Sequence, residues 1–251
     1  MTLRLFVEAA AAPLVAGTEL VLPPGATRHA QVRRVQPGDA LWLFDGHGCD
    51  TPATVLAVGR SEVRVRLGTP QPVADALPVQ VTLALGMPAN ERMDTLVEKA
   101  TELGVAAIQP LHTERSVLRL APERAERKRA HWQAVAVAAC EQCGRARVPV
   151  LAPVRTLDEW LHAAPAGLRL LLSLDADAAP LATLATLTGA APGPVVTLSG
   201  PEGGLSPAEE DSARRHGFVP VRLGRSVLRA DTAPLAALAW IAVQATGGRG
   251  G

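Results

Sequence analysis

From residue 79 onward the chain alternates apolar runs with helical ones, and that alternation leaves few folds open. VQVTLAL, VAAIQPL, LRLLLSL, VVTLS and VPVRL read as strands, and helical patterns fall at 91–103, 122–145, 156–163, 207–216 and 232–246. Mostly apolar strands need cover on both faces, and intervening helices supply it, so the expected architecture is α/β with a parallel sheet. Ligands of such sheets bind beyond the carboxyl ends of the strands.

The first 70 residues differ. EVRVRL at 62–67 alternates apolar and charged positions, ALWLFDGHG reads as a strand closing in a glycine turn, and TVLAV supplies another strand. Three prolines within 69–78 suit a stiff linker. We therefore expect a small β domain over 1–70, a linker at 71–78, a catalytic-type α/β domain over 79–246, and a disordered tail in the glycine-rich 247–251. With 251 residues the chain has core enough to need no staples. A formal charge of +1 argues by itself for neither nucleic acid nor membrane. Three cysteines, an odd number, point away from a disulfide framework and towards a reducing, cytoplasmic setting. Glu8 interrupts the apolar N-terminus, which makes a poor secretory signal, and APLAALAWIAVQA is shorter than the about 20 residues a bilayer requires.

The segment LSGPEGGLSPAEE, Leu198–Glu210, joins the fourth of these strands to a helix. Ser206, Pro207 and Glu209 are explained by a capping box with proline at the first helical position. Gly200, Gly203 and Gly204 are not, and they suit either a crowded turn or a ligand lying against the main chain. The bend has no P-loop lysine, and Glu202 puts negative charge where a phosphate would sit, so a neutral or cationic ligand fits better. About twenty residues on, VRLGRSVLRADTAPLAALAW repeats the pattern of strand, glycine, short loop and apolar helix, with Asp231 or Thr232 able to cap that helix. Two such loops at one sheet edge can enclose a flat heterocycle between them.

LSGPEGGLSPAEE followed by LGRSVLRADTA resembles the C-terminal signature of the SPOUT methyltransferases, and more narrowly of the RsmE type. EKATELGVAAIQPLHTERSV, EQCGRARVPVL and the N-terminal VRRVQPGDALWLFDGHG agree, so the resemblance spans nearly the whole chain. It implies a PUA-like β-barrel for RNA binding, an α/β domain with a C-terminal trefoil knot, and a homodimer. It implies S-adenosylmethionine as methyl donor and N3 of a uridine in 16S ribosomal RNA of the small subunit as acceptor. Alternatives are a SPOUT enzyme acting at another RNA position and a non-catalytic ribosome assembly factor. No metal is expected.

On this resemblance the donor pocket is lined by Ser173, Leu198, Gly200, Glu202, Gly203, Gly204, Leu223, Gly224, Val227 and Leu228. Transfer to N3 is an in-line displacement in which negative charge spreads onto the uracil oxygens, so a positioned cation is the main catalytic need. Arg229 is the expected donor, although it could instead pair with Asp231. Asp231 stands where the family would carry Glu, and it is read as a base or as a helix cap. Between Arg115 and Arg147, seven arginines and one lysine face three glutamates, a net of +5. Such a run suits a solvated face or RNA phosphates. Arg4, Arg34, Arg115, Gln142 and Arg145 are the expected RNA contacts, with Glu141–Arg145 and Lys99–Glu102 also readable as ordinary helix pairs. Cys140 and Cys143 form a C-x-x-C, but Trp132, Val135, Ala136 and Ala139 share the same helical stripe, and core packing accounts for it better than metal or redox chemistry.

Overall fold

The computed structural model describes residues 2–8, 14–74, 77–183 and 193–247. It divides into two compact units, one of Met1–Ala76 with Val137–Val148, the other of Leu77–Ala136 with Pro149–Gly251.

In the first unit β1 (Leu3–Phe6), β2 (Glu19–Val21), α1 (Pro24–Val32), β3 (Ala40–Phe44), β4 (Cys49–Val58), β5 (Val63–Leu67) and β6 (Gln71–Pro72) follow in order. The strands form one sheet in the order β1-β3-β4-β5-β2, with β6 on β4. β1 and β3 run parallel and the remaining pairs antiparallel. In β5 the alternation is realised, with Val63, Val65 and Leu67 buried and Arg64 and Arg66 exposed. α1 was not expected from the sequence. It begins on Pro24, whose fixed φ suits a first helical position, and it buries Ala26, Thr27 and Ala30 without any side-chain cap. The stretch from 71 carries two residues that pair as strand β6, so proline-rich composition there coexists with sheet structure.

The second unit contains β7 (Val81–Gly86), α2 (Asn90–Glu102), β8 (Ala107–His112), the helix α3 (Pro122–Cys143), β9 (Val150–Leu151), β10 (Arg155–Thr156), α4 (Leu157–Leu161), β11 (Leu168–Leu172), β12 (Ala179–Pro180), β13 (Val195–Ser199), α5 (Pro207–Arg215), β14 (Val219–Arg222) and α6 (Thr232–Gly247). From Val137 onward the residues of α3 count with the first unit. The sheet runs β10-β8-β7-β13-β11-β14-β12, with β9 on β8, and all of its described pairs are parallel. The α/β parallel-sheet expectation is therefore met. Every residue of β13 is buried, Thr197 and Ser199 included, as expected of a strand covered on both faces. Trp132 and Ala136 are buried as the stripe on α3 required, and Trp132 Nε1 donates to Asp94 Oδ1 at 3.1 Å. The expected tail at 247–251 lies outside the described residues except for Gly247, which ends α6.

Candidate active site

β13, β11 and β14 are adjacent parallel strands, and the loops leaving their carboxyl ends enclose a cleft of about 590 Å³. That volume is ordinary for a small-molecule site. The loop after β13 contributes Gly200, Glu202, Gly203 and Gly204; the loop after β14 contributes Leu223, Gly224, Val227, Leu228 and Arg229; Ser173 follows β11. Nine of the ten expected donor-pocket residues are thus brought together. The tenth, Leu198, has no exposed surface and packs in the core with Leu171, Val196 and Leu205.

The glycines are explained by close approach. A Cβ on Gly200 would stand 2.5 Å from the carbonyl carbon of Gly204 and 2.6 Å from the nitrogen of Leu205, so the bend folds onto itself where only hydrogen fits. Gly204 has φ +69° and donates its N–H to Pro201 O at 2.9 Å. Gly86, at the end of β7, has the same role from below: a Cβ there would lie 2.5 Å from Pro201 Cδ. Nothing in LALGM distinguishes that glycine from an ordinary strand end.

Polar side chains hold the bend from outside. Glu202 Oε1 accepts the N–H of Ala89 at 3.1 Å and lies 3.5 Å from Arg92 Nη1, which places a carboxylate at the N-terminus of α2. Its charge therefore has a partner in the fold. Arg115 Nη1 donates to the carbonyls of Gly203 (2.9 Å) and Leu205 (3.1 Å). The capping box is complete: Ser206 Oγ accepts from Glu209 N, and Glu209 Oε2 accepts from Ser206 N at 2.8 Å. Glu209 Oε1 also accepts the N–H of Glu114 at 2.7 Å, tying α5 to the loop that carries Arg115.

Ser173 is buried, donating Oγ–H to Glu210 Oε2 at 3.1 Å and accepting the N–H of Asp175 at 3.1 Å. Glu210 and Asp175 both line the cleft, as does Arg92, and the sequence reading named none of them. Glu210 follows the capping glutamate directly, and its side chain reaches the cleft only because α5 packs beside β11, a tertiary fact with no local signature. Burial pushes the Glu210 carboxyl above the ordinary range, with Ser173's hydroxyl opposing and the charge of Asp175 adding. Arg214 binds Asp175 (2.7 Å) and Asp177 (2.9 Å), which hold its guanidinium in the charged form.

The second loop is apolar and open. Val227 is 75% exposed and Leu228 37%, side chains that a flat ligand in the cleft would cover. The carbonyl of Arg229 accepts from the N–H groups of Thr232 and Ala233, both at 3.0 Å, so it starts α6 while its side chain lines the cleft. Asp231 does not line the cleft, and its Oδ1 is buried without a hydrogen-bond partner.

Of the expected RNA contacts only Arg115 lines the cleft; Arg4, Arg34, Gln142 and Arg145 belong to the first unit. Arg4 pairs with Asp50, lies 5.1 Å over the ring of Phe44 and donates to the carbonyl of Arg145 at 3.2 Å. Arg145 is buried, whereas Arg34, at φ +56°, and Gln142 are exposed. Glu141 accepts the N–H of Phe6 at 2.9 Å and lies 3.1 Å from His29 Nδ1. Lys99 and Glu102 make the helix pair at 2.8 Å. Cys140 is buried, and among the described residues no group of His, Cys, Asp and Glu could hold a metal. Nor is any described helix long and apolar enough to cross a membrane.

Residues 75–242 match the family described as RNA methyltransferase domain, the class that this parallel sheet and glycine-walled cleft define. The crystal structure of a ribosomal RNA small subunit methyltransferase E from Neisseria gonorrhoeae bound to S-adenosyl methionine superposes with a TM-score of 0.89 at 34% identity, over 97% of this chain and 98% of that one. A methyltransferase from Legionella pneumophila, solved with bound SAM, gives 0.85 at 33% identity over 96% and 97%. The ribosomal RNA small subunit methyltransferase E of Synechocystis is 34% identical over 84% of this chain and 68% of its own length. The chain belongs to the ribosomal RNA small subunit methyltransferase E family.

Proposed function

We propose that this chain methylates N3 of a uridine in 16S ribosomal RNA, with S-adenosylmethionine as donor. The carrying observation is the cleft between the turns at 200–204 and 223–228, walled by main chain and exposed apolar side chains and bordered by Arg229. The donor supplies an electrophilic methyl group on a cationic sulfur. The glycines present main-chain groups at van der Waals range, and Val227 and Leu228 offer apolar faces to an adenine ring. Arg229 orients the uracil and stabilises charge developing on its oxygens, which in a site shielded from water is the strongest contribution such an enzyme makes. Asp231 does not line the cleft, which favours Arg229 over it as the group that acts on the uracil.

The same reading extends to the rest of the molecule. Residues 1–70 form a PUA-like barrel that grips RNA through Arg4 and Arg34, with Arg115, Gln142 and Arg145 as further contacts; 71–78 link it to the methyltransferase domain at 79–246, and the C-terminal segments form a trefoil knot. α6 carries an exposed Val243 on a helix of almost wholly apolar composition, which supports a homodimer built on that face. The enzyme works in the cytoplasm, where its substrate is assembled.

Calorimetry with S-adenosylmethionine tests the cleft, and mass spectrometry of 16S RNA incubated with enzyme and labelled donor tests the reaction. A labelled 3-methyluridine is expected. Donor binding with label on another nucleoside would reassign the target, and binding without any transfer would favour an assembly factor.

A further inference from the structure

One carboxylate on the cleft wall has no ion-pair partner among the described residues. Glu202 is matched by the N-terminus of α2 and by Arg92. Asp175 is matched by Arg214, which also holds Asp177. Glu210 accepts the Ser173 hydroxyl at 3.1 Å and has the Asp175 carboxyl beside it; among the described residues no cation forms an ion pair with it, and Arg214 reaches it by charge alone. Arg214, one turn further along α5, directs its guanidinium nitrogens to the two aspartates. The other cations on the cleft are Arg115, bound to main-chain carbonyls, and Arg229 on the opposite loop.

We propose that Glu210 makes the cleft selective for charge, favouring a sulfonium nucleoside over the neutral thioether left after methyl transfer. This rests on the methyl-donor reading above and adds a residue to it. The two ligands share adenine, ribose and amino-acid groups and differ by a methyl group and one positive charge. Contacts made to the shared parts cancel between them. A half-buried carboxylate on the wall does not cancel, because its attraction acts on net charge in a medium of reduced dielectric.

The surroundings of Glu210 give this selectivity a proton linkage. Burial and the neighbouring Asp175 favour the protonated acid, while Ser173 and Arg214 favour the ionised one. A cation entering the cleft shifts the balance to the ionised form, so sulfonium binding releases protons wherever the free protein holds Glu210 protonated. Thioether binding releases fewer. Once the methyl group has left, the attraction to Glu210 falls, and the spent nucleoside exchanges more readily for fresh donor.

The test is titration calorimetry of the full chain with S-adenosylmethionine and S-adenosylhomocysteine, at pH 5.5 and 7.5, in buffers of differing ionisation heat. For the wild type we expect tighter sulfonium binding at the higher pH, net proton release at pH 5.5, and little pH dependence for the thioether. Glu210→Gln should weaken sulfonium binding about tenfold, the equivalent of one pKa unit, shift thioether affinity by less than about twofold, and abolish the proton release. Equal losses for both ligands would make Glu210 a contact to a shared group and overturn the proposal, as would no change for either. Should Glu210→Gln fail to fold, equal wild-type affinity for the sulfonium and the thioether at pH 7.5 is sufficient to reject it. If the wild type binds neither ligand, the methyl-donor reading fails first and takes this one with it.

Discussion

Arg115 holds Gly203 by a single guanidinium nitrogen, 2.9 Å from its carbonyl oxygen, and the same nitrogen reaches Leu205 at 3.1 Å. A side chain in a basic run thus acts as a brace on the glycine bend. Arg115→Ala should weaken S-adenosylmethionine binding about tenfold in the absence of any RNA, since hydrogen bonds to a charged group contribute about 1.5–3 kcal/mol. Calorimetry without RNA is the check, and an unchanged affinity would return Arg115 to a purely RNA-facing role.

Gly200→Ala places a methyl group 2.5 Å from main-chain atoms that cannot move without opening the bend. A loss of about 1–3 kcal/mol in stability is expected, with donor binding impaired beyond it. Thermal melts with and without ligand separate the two: the variant's melting temperature should respond to donor far less than the wild type's.

Arg229 contributes its carbonyl to α6 and its side chain to the cleft, so truncation at Cβ spares the helix start. Arg229→Ala should lower the single-turnover rate by about 100-fold, the scale of losing one preorganised donor to developing negative charge, with donor affinity nearly unchanged. Rapid-quench assays on 16S RNA alongside calorimetry measure both quantities.

Ser206→Ala removes one half of the capping box on α5. The expected cost is about 1 kcal/mol of stability, read from denaturant midpoints at constant m-value.

Glu210 also gives the free protein a pH signature. Its folded pKa is raised, so its favourable contribution is complete below the unfolded value of about 4.5 and disappears as pH rises through the folded value. Wild type should therefore lose stability relative to Glu210→Gln on going from pH 4 to pH 7. Parallel urea titrations across that range would show the two curves diverging, and curves that stay parallel would contradict the raised pKa.

How much of this was legible in the sequence differs element by element. β5 announced itself by strict alternation and β13 by a short run rich in Val and Leu, because local pattern and tertiary burial agree there. The capping box at Ser206 was readable because all of its partners lie within four residues. α1 was missed because it has no side-chain cap and opens on the second of two prolines, so its helicity leans on the three residues it buries. Leu198 lay within the recognised motif, yet strand pleat turns its side chain into the core. Gly86, Asp175 and Glu210 were invisible because each acquires its role from a segment distant in sequence: Pro201 for the glycine, Arg214 and Ser173 for the acids. Arg4 looked like a free cation, and Asp50, forty-six positions away, takes it up.

β7 pairs on one side with β8, the next strand in the chain, and on the other with β13, which joins Val81 to Val195. Strands made early in synthesis must wait for one made late, and such distant pairings slow folding because long loops close before any contact rewards them. Both turns of the cleft, at 200–204 and 223–228, come after β7, β8 and β11 in the chain. A chain growing from its N-terminus consequently has no finished pocket until β13, β14 and the loops that follow them have been made.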